Sequence, residues 1–461
     1  MQVMKWSALA LAVTAGSMQL AFASAQEESN GFVEDSDLTL LNKNFAFYRD
    51  FRDNPRTNDD GTINQSYRNE WAHGMSLMYS SGFTQGTVGF GVDAHGMLGL
   101  KLNSGGGTNG TGLLPIGDDG KAADDYSYAG GAVKMQVSNT QLKYGNLFPT
   151  APVFATGTAR LFPGSAEGFQ LTSSEIEGLN IDAGHFTSIR DGSVSTNRHG
   201  EITTTYAGVA SNSADYVGGS YSFNDNVSAS LYGGELEDVW RQYYGNLNWN
   251  IPFSDAQALN LDFNIYRTSD KGKSLAGDID GTIWSAAAAY SIGAHKFTLA
   301  YQRNNADTPF DYISMDGGNS GDSIFLANSV QYSDFNGPGE KSWQARYDLN
   351  MAEYGVPGLS FMVRYITGDD VDGSKAQQGG AFFARNDDTG EFEQAIGNDG
   401  KEWERDIEAK YVVQEGPAKD LSIRLRHATW RGNSDMGFFG SQGGTASDEI
   451  RVITEYPLDI L

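Results

Sequence analysis

Arginines at alternate positions near the C-terminus carry the most evident chemistry of this chain. In residues 421–426 (LSIRLR), Arg424 and Arg426 fall on one side of a predicted strand and the leucines and isoleucine on the other. Residues 342–350 (SWQARYDLN) alternate in the same way around Arg346. Successive side chains of a strand point to opposite faces. A guanidinium group can bind a carboxylate through two parallel hydrogen bonds, so the polar face is suited to small anions.

The same alternation extends the basic face over five C-terminal strands. Its six members are Arg346, Arg364, Lys410, Arg424, Arg426 and Arg451. Any one of them could pair with an acidic neighbour such as Glu408 or Asp348 on an adjacent strand. Ion pairing with acidic neighbours is not expected to neutralise all six cations. Rings of Arg or Lys make anion-selective pores. The pattern therefore predicts an anion-attracting wall.

The elements that carry these residues are strands over most of the chain. Their alternating runs are about 9 to 11 residues long, which is the length a tilted strand needs to cross a bilayer. Short and long connections alternate, as in membrane barrels. At about 24 residues per strand and connection, the chain would form roughly 18 strands around an aqueous lumen. We predict an all-β fold, a transmembrane antiparallel β-barrel; a secreted β-sandwich or β-helix is the competing fold.

The N-terminus has the features of a secretory signal peptide. Lys5 is its lone charge, an apolar run follows, and Ala23-Ser24-Ala25 is a small-x-small cleavage site. We expect cleavage after Ala25, with cleavage after Ala23 as the alternative and a retained membrane anchor disfavoured. Residues 1–25 would then be the signal peptide and residues 26–461 a single barrel domain.

Composition excludes several functional classes. The chain has no cysteine, which removes disulfides, thiolate metal sites and a cysteine nucleophile. Its net charge of −26 argues against nucleic-acid binding, which needs a basic surface. No nucleotide-binding motif indicates energy coupling. We expect neither a cofactor nor a metal.

Four long segments resemble the OprD family of outer-membrane porins. They are SGFTQGTVGFGVDAHGMLGLKL, PTAPVFATGTARLFPG, ELEDVWRQYY and GDSIFLANSVQYSDFNGPGEKSWQARYDLN, which begin at Ser81, Pro149, Glu235 and Gly321. YGVPGLSFMVRYITG and the closing EYPLDIL add to the likeness, which covers nearly the whole chain and is closest to the basic amino-acid branch from pseudomonads. It implies an 18-stranded channel in the outer membrane of a Gram-negative bacterium, surrounded by lipid. It also implies inward-folded long loops and a monomer or weak homotrimer.

The resemblance further implies two opposed walls at a narrow waist. A basic ladder is best matched by Arg424, Arg426 and Arg451, with Arg160 in the constricting loop. The facing electronegative pocket is matched by Tyr206, Tyr312, Asp322, Ser329, Tyr332 and Asp334. The expected function is passive uptake of small carboxylates, above all basic amino acids and short peptides. Carbapenems would pass by mimicking a basic dipeptide.

Two alternatives stay open from the sequence. One is a porin selective for aromatic or other organic acids. The other is enzymatic, because members of this family have been assigned to serine peptidases, with a set that would fall on His185, Asp238 and Ser323. Alternation puts His185 on the apolar face of its strand, and no nucleophile-elbow pattern surrounds Ser323. We therefore expect no enzymatic activity.

Overall fold

The computed structural model describes residues 25–52, 65–193, 200–315, 321–440 and 443–461. Eighteen strands of these ranges form one sheet. In chain order they are β1 Asp37–Asp50, β2 Tyr67–Ser80, β3 Gly89–Ser104, β4 Asp125–Val137, β5 Thr140–Leu147, β6 Ser165–Ile176, β7 Leu179–Arg190, β8 Ala214–Asn224, β9 Val227–Leu236, β10 Trp240–Ser254, β11 Gln257–Asp270, β12 Asp280–Ile292, β13 His295–Asn304, β14 Lys341–Asn350, β15 Leu359–Val371, β16 Gly400–Val412, β17 Ser422–Gly432 and β18 Ala446–Asp459.

The sheet closes on itself. Each strand pairs antiparallel with the next along the chain, and β1 pairs with β2 on one side and with β18 on the other. This confirms the predicted barrel of about 18 strands, and a two-sheet sandwich is wrong for this chain. The two stretches that carry alternating arginines lie in β14 and β17, and β17 continues past the arginines to Gly432.

The two ends of the barrel differ in their connections. At the short-turn end, tight turns such as 225–226, 255–256 and 293–294 join the strands. At the long-loop end, the connections include 105–124, 191–213, 305–340 and 372–399, although 237–239 is short. The loop after β13 extends to residue 340. In its second half, the backbone N–H groups of Phe325, Ala327 and Asn328 donate to side chains of the barrel wall.

The outer face is apolar and the inner face is polar. Leu231 on β9 is 73% exposed and Trp343 on β14 is 62% exposed, although both are large apolar side chains. Apolar side chains in this arrangement suit a lipid environment. In the part of the chain that the structure describes, no helix is long and apolar enough to cross a membrane.

Aromatic packing fills one side of the interior. Phe154 stacks on Phe186 of β7 with ring centroids 4.7 Å apart. Tyr266 of β11 lies between Tyr244 and Phe310, with 4.7 Å between centroids on each side. These rings belong to a buried cluster that joins β7 to β12 with the folded-in loops. The inner wall from β14 to β18 is largely polar and carries basic and acidic side chains, with Glu402, Glu404 and Asp406 of β16 buried among them.

Candidate functional site

The loop between β5 and β6, residues 148–164, narrows the barrel and is called the constriction loop below. Tyrosines on the wall hold both of its ends. The Tyr266 hydroxyl donates to the Pro152 carbonyl at 3.1 Å, and the Tyr128 hydroxyl donates to the Pro163 carbonyl at 3.1 Å. Within the loop, Thr150–Ala151 pairs with Phe154–Ala155 as a short hairpin.

A glycine on β2 lets the constriction loop lie close to the wall. A Cβ atom added at Gly74 would lie 2.8 Å from a side-chain carbon of Leu161 and 2.8 Å from one of Phe162. Real Cβ atoms essentially never approach another atom so closely, so a larger residue would push the loop away. Gly74 therefore fixes how far the loop stands from β2.

Arg160 is the predicted basic residue of the constriction loop, and the structure buries it at the wall. Its Nε donates to the Thr111 carbonyl at 2.8 Å, and Lys43 Nζ donates to the Arg160 carbonyl at 2.8 Å. Burial, with the nearby guanidinium groups of Arg451 and Arg49, lowers the pKa of Arg160 to about 9. Arg160 therefore remains a cation at neutral pH.

Three guanidinium groups meet around one carboxylate and one phenyl ring. Glu449 accepts from Arg49 Nε at 2.6 Å and from Arg451 Nε and Nη2 at 3.0 and 2.6 Å. The Phe47 ring centroid lies 5.2, 5.5 and 4.5 Å from the guanidinium carbons of Arg49, Arg160 and Arg451. Cation–π contacts of this kind contribute roughly 0.5–2 kcal/mol each. We call these five residues the waist cluster; its charges sum to a net cation.

A second basic group lies on the neighbouring strands, nearer the short-turn end. Arg424 Nε is 3.7 Å from one oxygen of Glu408, and Arg426 Nε is 3.0 Å from the other. Arg426 faces Arg451 across the β17–β18 ladder, and Arg424 faces Lys410 across β16–β17. Two arginines thus share one carboxylate and continue the basic surface of the waist cluster.

Two of the six predicted basic residues are neutralised by their own partners. Arg346 binds Asp348 through two hydrogen bonds of 2.8 and 2.6 Å. Arg364 Nε donates to Asp406 at 2.6 Å. All six lie on the inner face as expected, but ion pairing accounts for these two. The open cationic surface is therefore narrower than the sequence pattern indicates, and it centres on β16 to β18 with β1.

The acidic side of the site centres on Asp334 in the loop 305–340. Its carboxylate accepts from the Tyr206 hydroxyl at 2.7 Å, the Tyr312 hydroxyl at 2.9 Å and Ser329 Oγ at 2.5 Å. Burial, together with the charge of Asp334, holds the pKa of both phenols well above their ordinary value. Both tyrosines therefore stay protonated, and four of the six residues predicted for this pocket meet here.

Asp322 links the acidic side to the constriction loop. Its Oδ2 accepts from the Thr158 backbone N–H at 2.9 Å and from the Thr158 hydroxyl at 3.0 Å. Burial raises the pKa of Asp322, while these hydrogen bonds and the charge of Arg160 lower it. Asp322 therefore lies within electrostatic reach of Arg160 and is hydrogen-bonded to the loop that carries it.

Tyr332 packs against the same buried cluster as Tyr206 and also contacts the waist cluster. Its ring stacks on Trp430 of β17 at 4.9 Å and lies 5.4 Å from the Arg49 guanidinium carbon. Glu404 of β16 accepts from the backbone N–H groups of Tyr332 and Ser333 at 2.9 and 2.8 Å. These bonds hold the segment against the basic wall.

A buried carboxylate joins the two long loops that form the acidic side. Asp311 accepts from the backbone N–H groups of Tyr206, Ala207 and Tyr312 at 2.9, 2.8 and 2.8 Å. Burial raises the pKa of Asp311 to about 6, while these hydrogen bonds oppose the rise. Asp311 thus positions both tyrosines that bind Asp334.

The structure does not bring the peptidase set together. His185 lies on the outer face of β7, with Nδ1 2.8 Å from Asp215 Oδ1. Asp238 lies in the 237–239 connection and binds Lys273 Nζ at 2.6 Å. Ser323 is fully buried inside the barrel, and its Oγ has no hydrogen-bond partner in the described ranges. A triad is defined by mutual geometry, which is missing here.

Sequence reasoning missed several residues of the waist. They are Lys43, Phe47 and Arg49 on β1, Glu449 on β18, Glu404 on β16 and Asp311 in the loop 305–340. The residues of β1 alternate as Lys43, Phe45, Phe47 and Arg49, so the period-2 rule would have placed them on one face. The alternation does not predict that β1 pairs with β18 to close the barrel.

Comparisons with known proteins agree with this geometry. A family model described as outer membrane porin, OprD family, matches residues 30–460. The chain is 56% identical to Porin D of Pseudomonas aeruginosa over 468 residues, covering all of both chains. A crystal structure of Pseudomonas aeruginosa OprD is 53% identical, with a TM-score of 0.78, covering 96% of this chain and 100% of that one. OpdK of the same species, crystallised with vanillate, is 34% identical, with a TM-score of 0.78 over 93% of this chain and 100% of its own.

Proposed function

The chain belongs to the OprD family of outer-membrane porins, and we propose that it admits basic amino acids and short basic peptides by passive diffusion. It is an integral β-barrel of the Gram-negative outer membrane, with its long-loop end extracellular. The single observation that carries the proposal is that charged groups of both signs meet inside the barrel around the constriction loop. The waist cluster supplies three largely buried guanidinium groups, and the loop 305–340 supplies the carboxylates of Asp334 and Asp322.

The basic wall would guide the carboxylate of a solute. Guanidinium groups of Arg49, Arg451, Arg426 and Arg424 occupy adjacent positions on β1, β18 and β17. A carboxylate can pass from one to the next through charge-assisted hydrogen bonds. Glu449 and Glu408 already occupy part of these donors, so no single contact holds the solute for long. Conduction needs binding that is favourable enough to enter and weak enough to leave.

The acidic wall would select the other end of the solute. An ammonium or guanidinium group that reaches Asp334 meets a carboxylate with three hydroxyl groups already bound. A solute with a carboxylate at one end and a cation at the other therefore satisfies both walls in one orientation. Carbapenems that carry a carboxylate and a basic group have the same two features, so we expect them to pass as well.

Solute uptake into liposomes tests the proposal. We expect initial swelling rates with arginine to exceed those with glutamate and benzoate, and those with glucose to be lowest. The matched variant is Asp334→Asn, which keeps the size of the side chain but removes its charge. It should lower the arginine rate while leaving benzoate unchanged. Faster uptake of benzoate than of arginine by the parent would instead identify an aromatic-acid porin.

Two further features are proposed for the chain as it exists in the cell. Residues 1–25 would be removed as a signal peptide, with cleavage at the small-x-small site Ala23-Ser24-Ala25. Gln26 would then begin the mature chain and stay bound to the barrel, because its backbone N–H donates to the Ser138 carbonyl at 3.2 Å and its side-chain amide to the Thr84 carbonyl at 2.9 Å. The intact mass of protein from outer membranes tests the cleavage position.

We also propose that the channel has no peptidase activity and works as a single barrel, alone or in a weak trimer. Equal and negligible hydrolysis of a chromogenic peptide by the parent and by Ser323→Ala would support the first statement. Hydrolysis that Ser323→Ala abolishes would contradict it. Mass measurement of the purified protein in detergent distinguishes monomer from trimer.

A further inference from the structure

Arginine and lysine side chains on the outer face of the barrel strands are confined to one end. Among the described strand residues they lie only near the extracellular end, as Arg241, Arg267, Arg303, Lys341, Lys401, Arg405 and Arg431. A cation that faces lipid costs about 2–4 kcal/mol at the bilayer midplane and little near the interface. This free-energy cost would allow such residues at both membrane interfaces. Their restriction to the extracellular interface therefore indicates a feature particular to the outer leaflet.

Most of these outward cations have a carboxylate partner beside them. Arg241 pairs with Glu235 at 2.8 Å, and Lys401 pairs with Asp399 at 3.0 Å. Arg267 pairs with Asp280, and Lys341 with Asp370. Such exposed pairs have little charge left to attract a ligand.

The arrangement differs where β16, β17 and β18 meet β1. Arg431 Nη1 lies 2.8 Å from Asp448, and Arg52 binds the same carboxylate. Arg405, which is exposed, donates to Thr429 Oγ1 at 3.4 Å and has no carboxylate partner in the described ranges. Thr429 faces both Arg405 and Asp448 in the strand register, so Arg405 on β16 and Arg431 on β17 lie on adjacent strands, and Arg52 follows the end of β1. We call Arg52, Arg405 and Arg431 the outer basic patch.

Apolar residues border the outer basic patch on its membrane side. Ile407 and Ile450 face outward two residues nearer the midplane than Arg405 and Asp448, on either side of His427, and Leu425 lies two residues beyond His427; the three apolar side chains are 47%, 43% and 49% exposed. Trp403 stacks on Tyr365 at 5.7 Å, and the Arg431 guanidinium carbon lies 6.0 Å from the Trp403 ring. Aromatic side chains of this kind mark the membrane interface. The patch is therefore at headgroup level, directly above a surface for acyl chains.

We propose that the outer basic patch binds the phosphate groups of the phosphorylated glycolipid of the outer leaflet. Guanidinium groups match phosphate geometry through paired hydrogen bonds, and Arg405 has these donors largely unused. The acyl chains of the same molecule would lie on Ile407, Leu425 and Ile450. Only a ligand with a phosphate at headgroup level and acyl chains below it uses both features. The site is on the outside of the barrel and is independent of the proposed solute path.

Native mass spectrometry of the detergent-purified porin with added diphosphoryl lipid A tests the proposal. The test variant is Arg405→Gln/Arg431→Gln. The control is Arg241→Gln/Arg267→Gln, which makes the same charge change on the same face and at the same end. We expect binding to weaken about 30-fold in the test variant, the factor two basic residues contribute near an anionic surface, and less than about twofold in the control.

Three results would overturn the proposal. Equal weakening in the test and control variants would show a general charge effect. Equal binding of fully dephosphorylated lipid A would show that the phosphates are not recognised. Binding of inorganic phosphate as tight as that of the lipid would show a site for the free anion. Heat-modifiable gel migration checks folding, and Arg405→Gln alone, compared with Arg267→Gln, replaces the double variants if they fail that check.

Discussion

The basic wall makes a sharp prediction because its arginines differ in how they are paired. Arg424 shares Glu408 with Arg426, at 3.7 and 3.0 Å, so this group has a net charge of +1. Nε and Nη2 of Arg346 donate to the two carboxylate oxygens of Asp348, so that pair is locally neutral. Arg424→Gln therefore removes open positive charge from the lumen, whereas Arg346→Gln/Asp348→Asn removes a neutral pair. If the field of the wall guides carboxylates, only the first change should slow them.

The size of the effect follows from the position of Arg424 in a water-filled lumen. Two unit charges about 4 Å apart interact by roughly 1 kcal/mol in bulk water and by about 4 kcal/mol at an effective dielectric constant of 20. Arg424 is one-third exposed, so we take the lower part of this range. A loss of about 1–2 kcal/mol weakens binding of a carboxylate roughly 5- to 30-fold.

Liposome swelling at low solute concentration measures this loss. We expect glutamate and arginine uptake through Arg424→Gln to fall at least about fivefold, with glucose uptake unchanged. The effect should shrink in 1 M salt, where the Debye length is about 3 Å. Equal glutamate rates in Arg424→Gln and the parent would refute a guiding role for the wall. An equal loss in Arg346→Gln/Asp348→Asn would show that structure, and not open charge, sets the rate.

Three further predictions concern the waist and its supports. Gly74→Val should displace the constriction loop from β2 and raise single-channel conductance, and unchanged conductance would contradict the close contact with Leu161. Asp334→Asn should lower the ratio of arginine to benzoate uptake about fivefold, as expected for loss of about 1 kcal/mol at the acidic wall. Burial raises the pKa of Asp311 to about 6 while the two loops that it joins are packed together. The packed loops therefore hold a proton more tightly than opened loops do, so they are more stable below pH 6 and lose stability as the pH rises through 6. Amide hydrogen exchange measures the equilibrium constant for opening of these loops, which should be about tenfold smaller at pH 5 than at pH 7 in the parent. In Asp311→Asn, which cannot titrate at this position, the difference should disappear.

The fold and the inward direction of the arginines could be predicted because both depend on a local pattern. Side-chain alternation in β14 and β17 needs no knowledge of distant contacts. The same holds for the outward direction of His185 on β7. A period of two residues is visible in any strand, and the asymmetry of the connections then distinguishes a barrel from a sandwich.

The waist could be predicted only in part because its geometry depends on contacts that are distant in sequence. Arg49 and Glu449 are 400 residues apart and meet only because β1 closes the barrel against β18. Tyr332 is held beside β16 because Glu404, 72 residues away, accepts from its backbone N–H. The ion pairs of Arg346 and Arg364 depend on which rotamer reaches which carboxylate, and alternation does not specify that.

The carboxylates among the arginines explain how a strongly basic wall can still release its solute. Three guanidinium groups around an empty waist would repel one another and would bind a passing carboxylate at several points. Glu449 accepts hydrogen bonds from Arg49 and Arg451, which stabilises these buried cations and leaves fewer of their N–H donors for the solute. Glu408 has the same position between Arg424 and Arg426. A solute carboxylate must therefore compete with a resident one at each step, so the site selects for charge while each contact stays short-lived.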